Sequence, residues 1–321
     1  MNHLPPLHGA TELLHWGLMR AQGQDAAAFL HGQLSNDFKL LDERQTRLAG
    51  YCSVKGRLLA TFLAWRTAPD DLWLACHRTV LPATLKRLSM FVMRADCRLS
   101  DGQAPVGDEV PPRLWGLAGD TALAALQAAG ELPVWGHARL AEGSLVRLPD
   151  AAGAARALWT GPAWPQAPEL AMDLWRWLDV KSGIPTIEMA TSEQFVPQMV
   201  NYELLGGVNF QKGCYPGQEI VARSQYRGIL KRRMFLFEVA AVTPQAKAGQ
   251  DVFHEDDPGQ PAGMVVSAAP LPGGGGSALL VELKLAALEG GTLHLAHVDG
   301  PLLVRQPMPY TVSALGEASA T

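Results

Sequence analysis

The hydrophobic pattern of the chain changes near Met234, and that change constrains the fold more than any other feature. Beyond it, apolar residues come in short runs cut by glycine and proline: Met234 to Val239, Gly263 to Ser267, Ala278 to Leu285 and Thr292 to His297. Runs of strand length with no helical stretch among them predict an all-β unit, a small barrel over 234–321. Gly273 to Gly276 lies between two of the runs and reads as a hairpin tip. It lacks the helix and the Lys-Ser/Thr that a phosphate-cradling loop needs.

Residues 1–233 read differently. Asp25 is placed to cap a helix carrying Ala26, Phe29, Leu30 and Leu34 at helical spacing, closed by Asn36-Asp37. A hairpin follows through Lys55-Gly56 into a long strand from Leu58 to Arg66, then a strand at Leu72 to Cys76. Leu81 to Met93 reads as a helix and Ala95 to Leu99 as a strand. After a Pro-rich loop the rhythm repeats: a strand at Leu114, a helix from Asp120 to Gly130, and strands at Ser144 to Leu148 and Ala157 to Thr160. Strands alternating with helices, with hairpins between, predict split βαβ units and not a doubly wound sheet. Gly161 to Pro168 reads as a linker, and Glu169 to Lys181 as a helix stopped by Gly183-Ile184-Pro185. The expected fold class is α+β. Residues 1–233 would hold two α+β subdomains, possibly discontinuous, ahead of the barrel.

The chain has 321 residues, 48% apolar, which is enough for a sizeable core. It has no GxGxxG after a strand, no P-loop and no GxSxG elbow, so dinucleotide, NTP and serine-hydrolase chemistry lack their signatures. Cys52, Cys76, Cys97 and Cys214 form no CxxC pair, so neither a zinc site nor a disulfide framework is expected. The N-terminus has no signal-peptide pattern and no apolar run is of membrane-spanning length, so the expectation is a cytoplasmic protein with no membrane association.

One segment stands out: Lys212-Gly213-Cys214-Tyr215-Pro216-Gly217-Gln218-Glu219. Pro216 suits the first turn of a helix running to about Arg227, with Glu219 complementing its positive end. Cys214 would then sit before a helix N-terminus and two residues from Lys212, the setting of an activated thiol. A small side chain packed in a tight turn explains the same residues. From Lys212 to Arg233 six basic residues face one acid, a local +5 in a chain of −4. Such a patch suits a polyanion: a polycarboxylate tail, a phosphate or RNA. No aromatic platform accompanies it, so direct nucleic-acid binding is not expected.

Lys-Gly-Cys-Tyr-x-Gly-Gln-Glu, followed by Val221-Ala222-Arg223 and Arg227-Gly228, resembles the signature of the YgfZ-type folate-binding proteins, in the superfamily of the glycine-cleavage T-protein, an aminomethyltransferase. Phe29 to Asp37, Lys55-Gly56-Arg57, Gly183-Ile184-Pro185, Gln194 to Gln198 and Asn201 extend the resemblance over nearly the whole chain. It implies a three-domain ring, two ferredoxin-like or related α+β domains plus a C-terminal β-barrel, with tetrahydrofolate in or beside the central opening. It implies folate contact for Trp16 and Trp175, each of which core packing would also explain. Arg223, Arg227 and the rest of the basic patch would receive the glutamate carboxylates.

Two departures bear on activity. T-proteins carry an acidic pair soon after the hairpin glycine, where this chain reads Leu59-Ala60, and an acid where Cys214 stands. The expected role is that implied by the YgfZ resemblance: a tetrahydrofolate-binding accessory protein for assembly, maintenance or repair of iron–sulfur enzymes, including radical enzymes that modify tRNA. Cys214 would be the functional thiol, Lys212 would stabilise its thiolate, and iron–sulfur client proteins would be partners. The rival expectation is a folate-dependent aminomethyl- or methyltransferase, which leaves open whether the chain is an enzyme. A structural adaptor that has lost folate is the third.

Overall fold

A computed structural model describes residues 5–105, 107–108, 110–163, 167–226, 230–240 and 245–312. Its elements run β1 (Gly9–Glu12), β2 (Trp16–Gln22), α1 (Ala26–Gln33), β3 (Thr46–Cys52), β4 (Leu58–Ala68), β5 (Asp71–His77), α2 (Leu81–Ser89), β6 (Arg98–Asp101), β7 (Arg113–Ala118), α3 (Gly119–Ala128), β8 (His137–Leu140), β9 (Gly143–Ala151) and β10 (Ala154–Gly161). They continue with α4 (Met172–Lys181), α5 (Gln218–Tyr226), β11 (Arg232–Ala240), β12 (Asp251–His254), β13 (Gly263–Pro270), β14 (Gly276–Lys284), β15 (Leu293–Leu295) and β16 (Leu303–Gln306).

The strands form three sheets, ordered β3-β4-β5-β2-β6, β1-β7-β10-β9-β8 and β15-β12-β13-β14-β11-β16. All pairings between named strands are antiparallel. A bridge from His294 to Leu302 links the end strands of the third sheet, which nearly closes into a barrel. The fold class is α+β, as the residue pattern predicts.

The chain passes from one sheet to another between its first two strands. β1 pairs with β7 of the second sheet, Gly9 opposite Ala118, whereas β2 pairs with β5 of the first, Trp16 opposite His77. The turn between them therefore carries His15 and Trp16 across the junction of the two sheets. Helix α4 packs on β13 and β14 of the barrel and also touches β1 and β9. One core runs through all of this: Leu18 and Leu63 of the first sheet, Leu114 and Leu158 of the second, Trp175 and Leu178 of α4, and Leu236 and Leu280 of the barrel are buried in a single cluster.

Several expected boundaries move. The helix expected to reach Met93 ends at Ser89. Asp25 makes no side-chain cap of α1; its carboxylate instead accepts from the Asp96 backbone N–H at 2.8 Å. The helix after Cys214 starts at Gln218, not Pro216. Gly217 has φ +78°, and the Gln218 N–H donates to the Tyr215 carbonyl at 3.2 Å. Pro-Gly at the centre of such a four-residue turn gives type II geometry, which a helix cannot contain. A Cβ on Gly217 would also strike the Ser53 carbonyl and the Gly56 backbone. The turn thus lies directly on the β3–β4 hairpin, and only glycine allows both the conformation and the approach. Gly183 takes φ +70° just past α4, as its sequence position predicts, and the Tyr310 hydroxyl donates to its carbonyl at 2.8 Å.

Candidate functional site

A cavity of about 320 Å³ opens between the first sheet, α4 and the barrel. His15, Trp16 and His77 come to it from the first sheet, Asp173, Arg176 and Asp179 from α4, and Lys247 and Ser267 to Pro270 from the barrel. Beneath it lies a chamber of about 40 Å³ walled by Leu13, Leu48, Leu63, Trp135, Leu158 and Trp175, with Arg156 and Asp179 as its charged groups. Trp16, Asp179, Ile184 and Thr186 line both spaces, so the chamber continues the cavity inward. Trp16 and Trp175, for which the resemblance implies folate contact, both line the inner chamber, and of the two only Trp16 also lines the cavity. Trp16 is half-buried, so part of its ring is open to a ligand. Trp175 is a wall of the core: the Arg156 guanidinium lies 4.6 Å from its ring centroid, and a Cβ on Gly116 would come within 2.5 Å of the ring.

The mouth holds uncharged imidazoles beside a cation. Burial, then the Arg176 charge and His77, lower His15 to about 3. Burial and Arg176 lower His77 to about 4. His15 Nε2 lies 4.0 Å from Asp179 Oδ2 and His77 Nε2 lies 3.7 Å from Glu188 Oε2. Burial raises the pKa of Glu188 despite Arg176. Since the unfolded chain takes up protons at His15 near pH 6.5 and the folded chain does not until about 3, stability is intact above pH 6.5 and is lost as pH falls through this window. His15 alone is expected to cost about 2 kcal/mol at pH 5 relative to pH 7. Thermal melts at the two pH values check this, and His15→Asn should flatten the difference.

The cysteine motif lies elsewhere. Neither Cys214, Lys212 nor Arg223 lines the cavity or its inner chamber. The motif loop is laced to the end of α1: Asn36 Nδ2 donates to the Gly206 carbonyl and Ser35 Oγ to that of Gly207, 2.7 and 2.6 Å. Lys212 is buried, and its Nζ donates to the carbonyls of His31 and, at 2.7 Å, Leu34. It thereby satisfies the C-terminal end of α1, where a cation is favoured by the helix dipole. Burial brings its pKa down to about 8, with the charges of Asp37 and Cys214 opposing. Lys212 is therefore a structural clamp as well as a neighbour of the thiol. His31 Nδ1 sits 3.1 Å from Asp37 Oδ1 beside it. No sequence spacing singled out that pair.

Cys214 is exposed, whereas Cys52, Cys76 and Cys97 are buried. Burial pushes the thiols of Cys52 and Cys76 up to about 12 and that of Cys97 up to about 11. Iodoacetamide applied to the folded protein is expected to alkylate Cys214 alone, the others reacting only after denaturation; peptide mass spectrometry reads the result.

The basic window does not form one patch. Arg232 Nη1 bonds both Glu282 oxygens at 2.9 and 2.8 Å, and buried Arg233 bonds Glu203 and the Gln198 carbonyl. With Lys212 also engaged, half of the six cations are committed to internal partners. Arg223 is exposed on α5, and Arg227 lies outside the described residues. The cations at the cavity are instead Arg176 and Lys247, from segments the sequence reading did not connect. Among the described residues no cluster of ligating side chains could hold a metal ion, and no helix is long and apolar enough to cross a membrane.

The fold is that of the glycine-cleavage aminomethyltransferases. Across 93% of its length the chain matches aminomethyltransferase T of the glycine cleavage system from Bartonella henselae, covering 85% of that chain with a TM-score of 0.70. At 17% identity this likeness is one of fold. No protein-family model matches the chain. In sequence it is 30% identical over 272 residues to the tRNA-modifying protein YgfZ of Hamiltonella defensa, an alignment covering 81% of this chain and 78% of that one. The chain belongs to the YgfZ family.

Proposed function

We propose that the protein binds tetrahydrofolate in the junction cavity and serves as an accessory factor for iron–sulfur enzymes, including radical enzymes that modify tRNA. The carrying observation is the cavity itself. It has a half-buried tryptophan for a flat ring, cations at the mouth for an anionic tail, and buried guanidinium donors of Arg156 without a partner at its inner end. A folate supplies a flat, hydrogen-bonding head and glutamate carboxylates, which these groups fit. Trp16 would flank the head, and Arg176 and Lys247 would receive the tail.

The accessory role is supported by the relative's designation as a tRNA-modifying protein and by the placement of Cys214. An exposed soft ligand outside the cavity is available to a protein partner. Leu59 and Ala60, where T-proteins carry acids, are apolar here, and Ala60 is fully buried in the core of the first sheet. A strain lacking this protein is expected to lose most of the tRNA nucleosides made by radical iron–sulfur enzymes, measured by mass spectrometry; unchanged levels would refute the accessory role.

The transferase reading retains one supporting observation. Asp179 and Glu188 bring carboxylates to the cavity that positions 59 and 60 do not. Turnover of an aminomethyl-lipoyl or N-methyl donor by purified protein with tetrahydrofolate would favour it over the accessory role.

A further inference from the structure

Arg156 exposes 1% of its surface. Its Nη2 bonds Asp179 Oδ1, but its Nε and Nη1 are buried and meet no partner among the described residues. Guanidinium N–H groups buried without a hydrogen-bond partner are costly even on an aromatic face, so this end of the chamber calls for an acceptor. Asp179 is bound directly beside it and keeps a quarter of its side-chain surface open, with Oδ2 on the side of His15. Burial pushes its carboxyl up, while the Arg156 charge pulls it down. The chamber therefore offers an acceptor and unused donors side by side, fixed by one ion pair.

That pattern is read most directly by a ring edge with amino and ring N–H donors next to a carbonyl oxygen, as in a 2-amino-4-oxo head. We propose that Asp179 and Arg156 are the specificity-determining pair of the cavity, Asp179 accepting from the N–H edge and Arg156 donating to the 4-carbonyl, so that the protein selects 4-oxo heads against 4-amino heads. The inference rests on the tetrahydrofolate reading. A 4-amino group turns the acceptor into a donor facing the guanidinium, and it turns the neighbouring ring N–H into a lone pair facing the carboxylate. Each side of the contact then loses a hydrogen bond, the 2-amino group alone still donating to Asp179.

The test is equilibrium binding of tetrahydrofolate and of 4-amino-4-deoxytetrahydrofolate to the full chain, followed by tryptophan fluorescence. Wild type is expected to prefer the 4-oxo ligand by about 100-fold, the scale of one or two mismatched buried hydrogen bonds. Arg156→Met should weaken tetrahydrofolate binding and reduce that preference to below about 5-fold. Circular dichroism checks that the variant is folded, and the wild-type comparison does not depend on it. Equal binding of the two ligands by wild type would overturn the assigned pair while leaving the tetrahydrofolate reading intact, as would a folded Arg156→Met variant that keeps the full preference. Failure of wild type to bind either ligand would overturn both.

Discussion

Replacing Trp175 by alanine is expected to destabilise the protein by about 3–5 kcal/mol, the range for a large aromatic removed from a packed core. The ring is 1% exposed and belongs to the cluster that joins all three sheets. Its loss would open a void between Gly116 and Arg156, and the guanidinium would lose the ring beside it. Little local collapse can fill that gap, because Gly116 offers no side chain and β7 is held between β1 and β10. Urea denaturation of the variant reads the cost directly. Folate binding by Trp175→Ala would consequently report on fold as much as on contact, and the cleaner probe of the cavity is Trp16.

Replacing Cys214 by alanine should have the opposite profile. The side chain is exposed and makes no core contact, so stability should stay within about 0.5 kcal/mol of wild type. Rescue of radical tRNA modification in a strain lacking the protein should be abolished. Full rescue would remove the thiol from the account. Lys212 is a poorer test of thiol chemistry, since its ammonium also holds the end of α1. Loss of function in Lys212→Ala could follow from two unsatisfied carbonyls alone.

Much of this architecture can be read from local pattern. The barrel strands β11, β13 and β14 fall where glycine and proline punctuate apolar runs, and α4 ends at the glycine that its sequence marks. Strand β1 escapes such a reading because it is only four residues long and its partner lies about a hundred residues away. The turn at Pro216-Gly217 was open to two interpretations, since proline favours both a helix start and a turn. The left-handed backbone of Gly217, forced by the hairpin beneath it, decides for the turn. Charge is the least local property. Arg232 and Arg233 look free in a basic window, yet their partners, Glu282 and Glu203, are 50 and 30 residues away. The cavity gathers His77, Arg176 and Lys247 from three separate segments, and no motif joins them.

On the proposed function, the folate site and the thiol are separate sites on one protein. Titration of tetrahydrofolate into wild type, Trp16→Ala and Cys214→Ala, followed by isothermal calorimetry, tests it most directly. Trp16→Ala should bind at least about 10-fold more weakly, the loss of a ring contact worth one to two kcal/mol. Cys214→Ala should bind as wild type does. Absence of binding to wild type, or weakening in Cys214→Ala with Trp16→Ala unaffected, would contradict a folate site at Trp16 separate from the thiol.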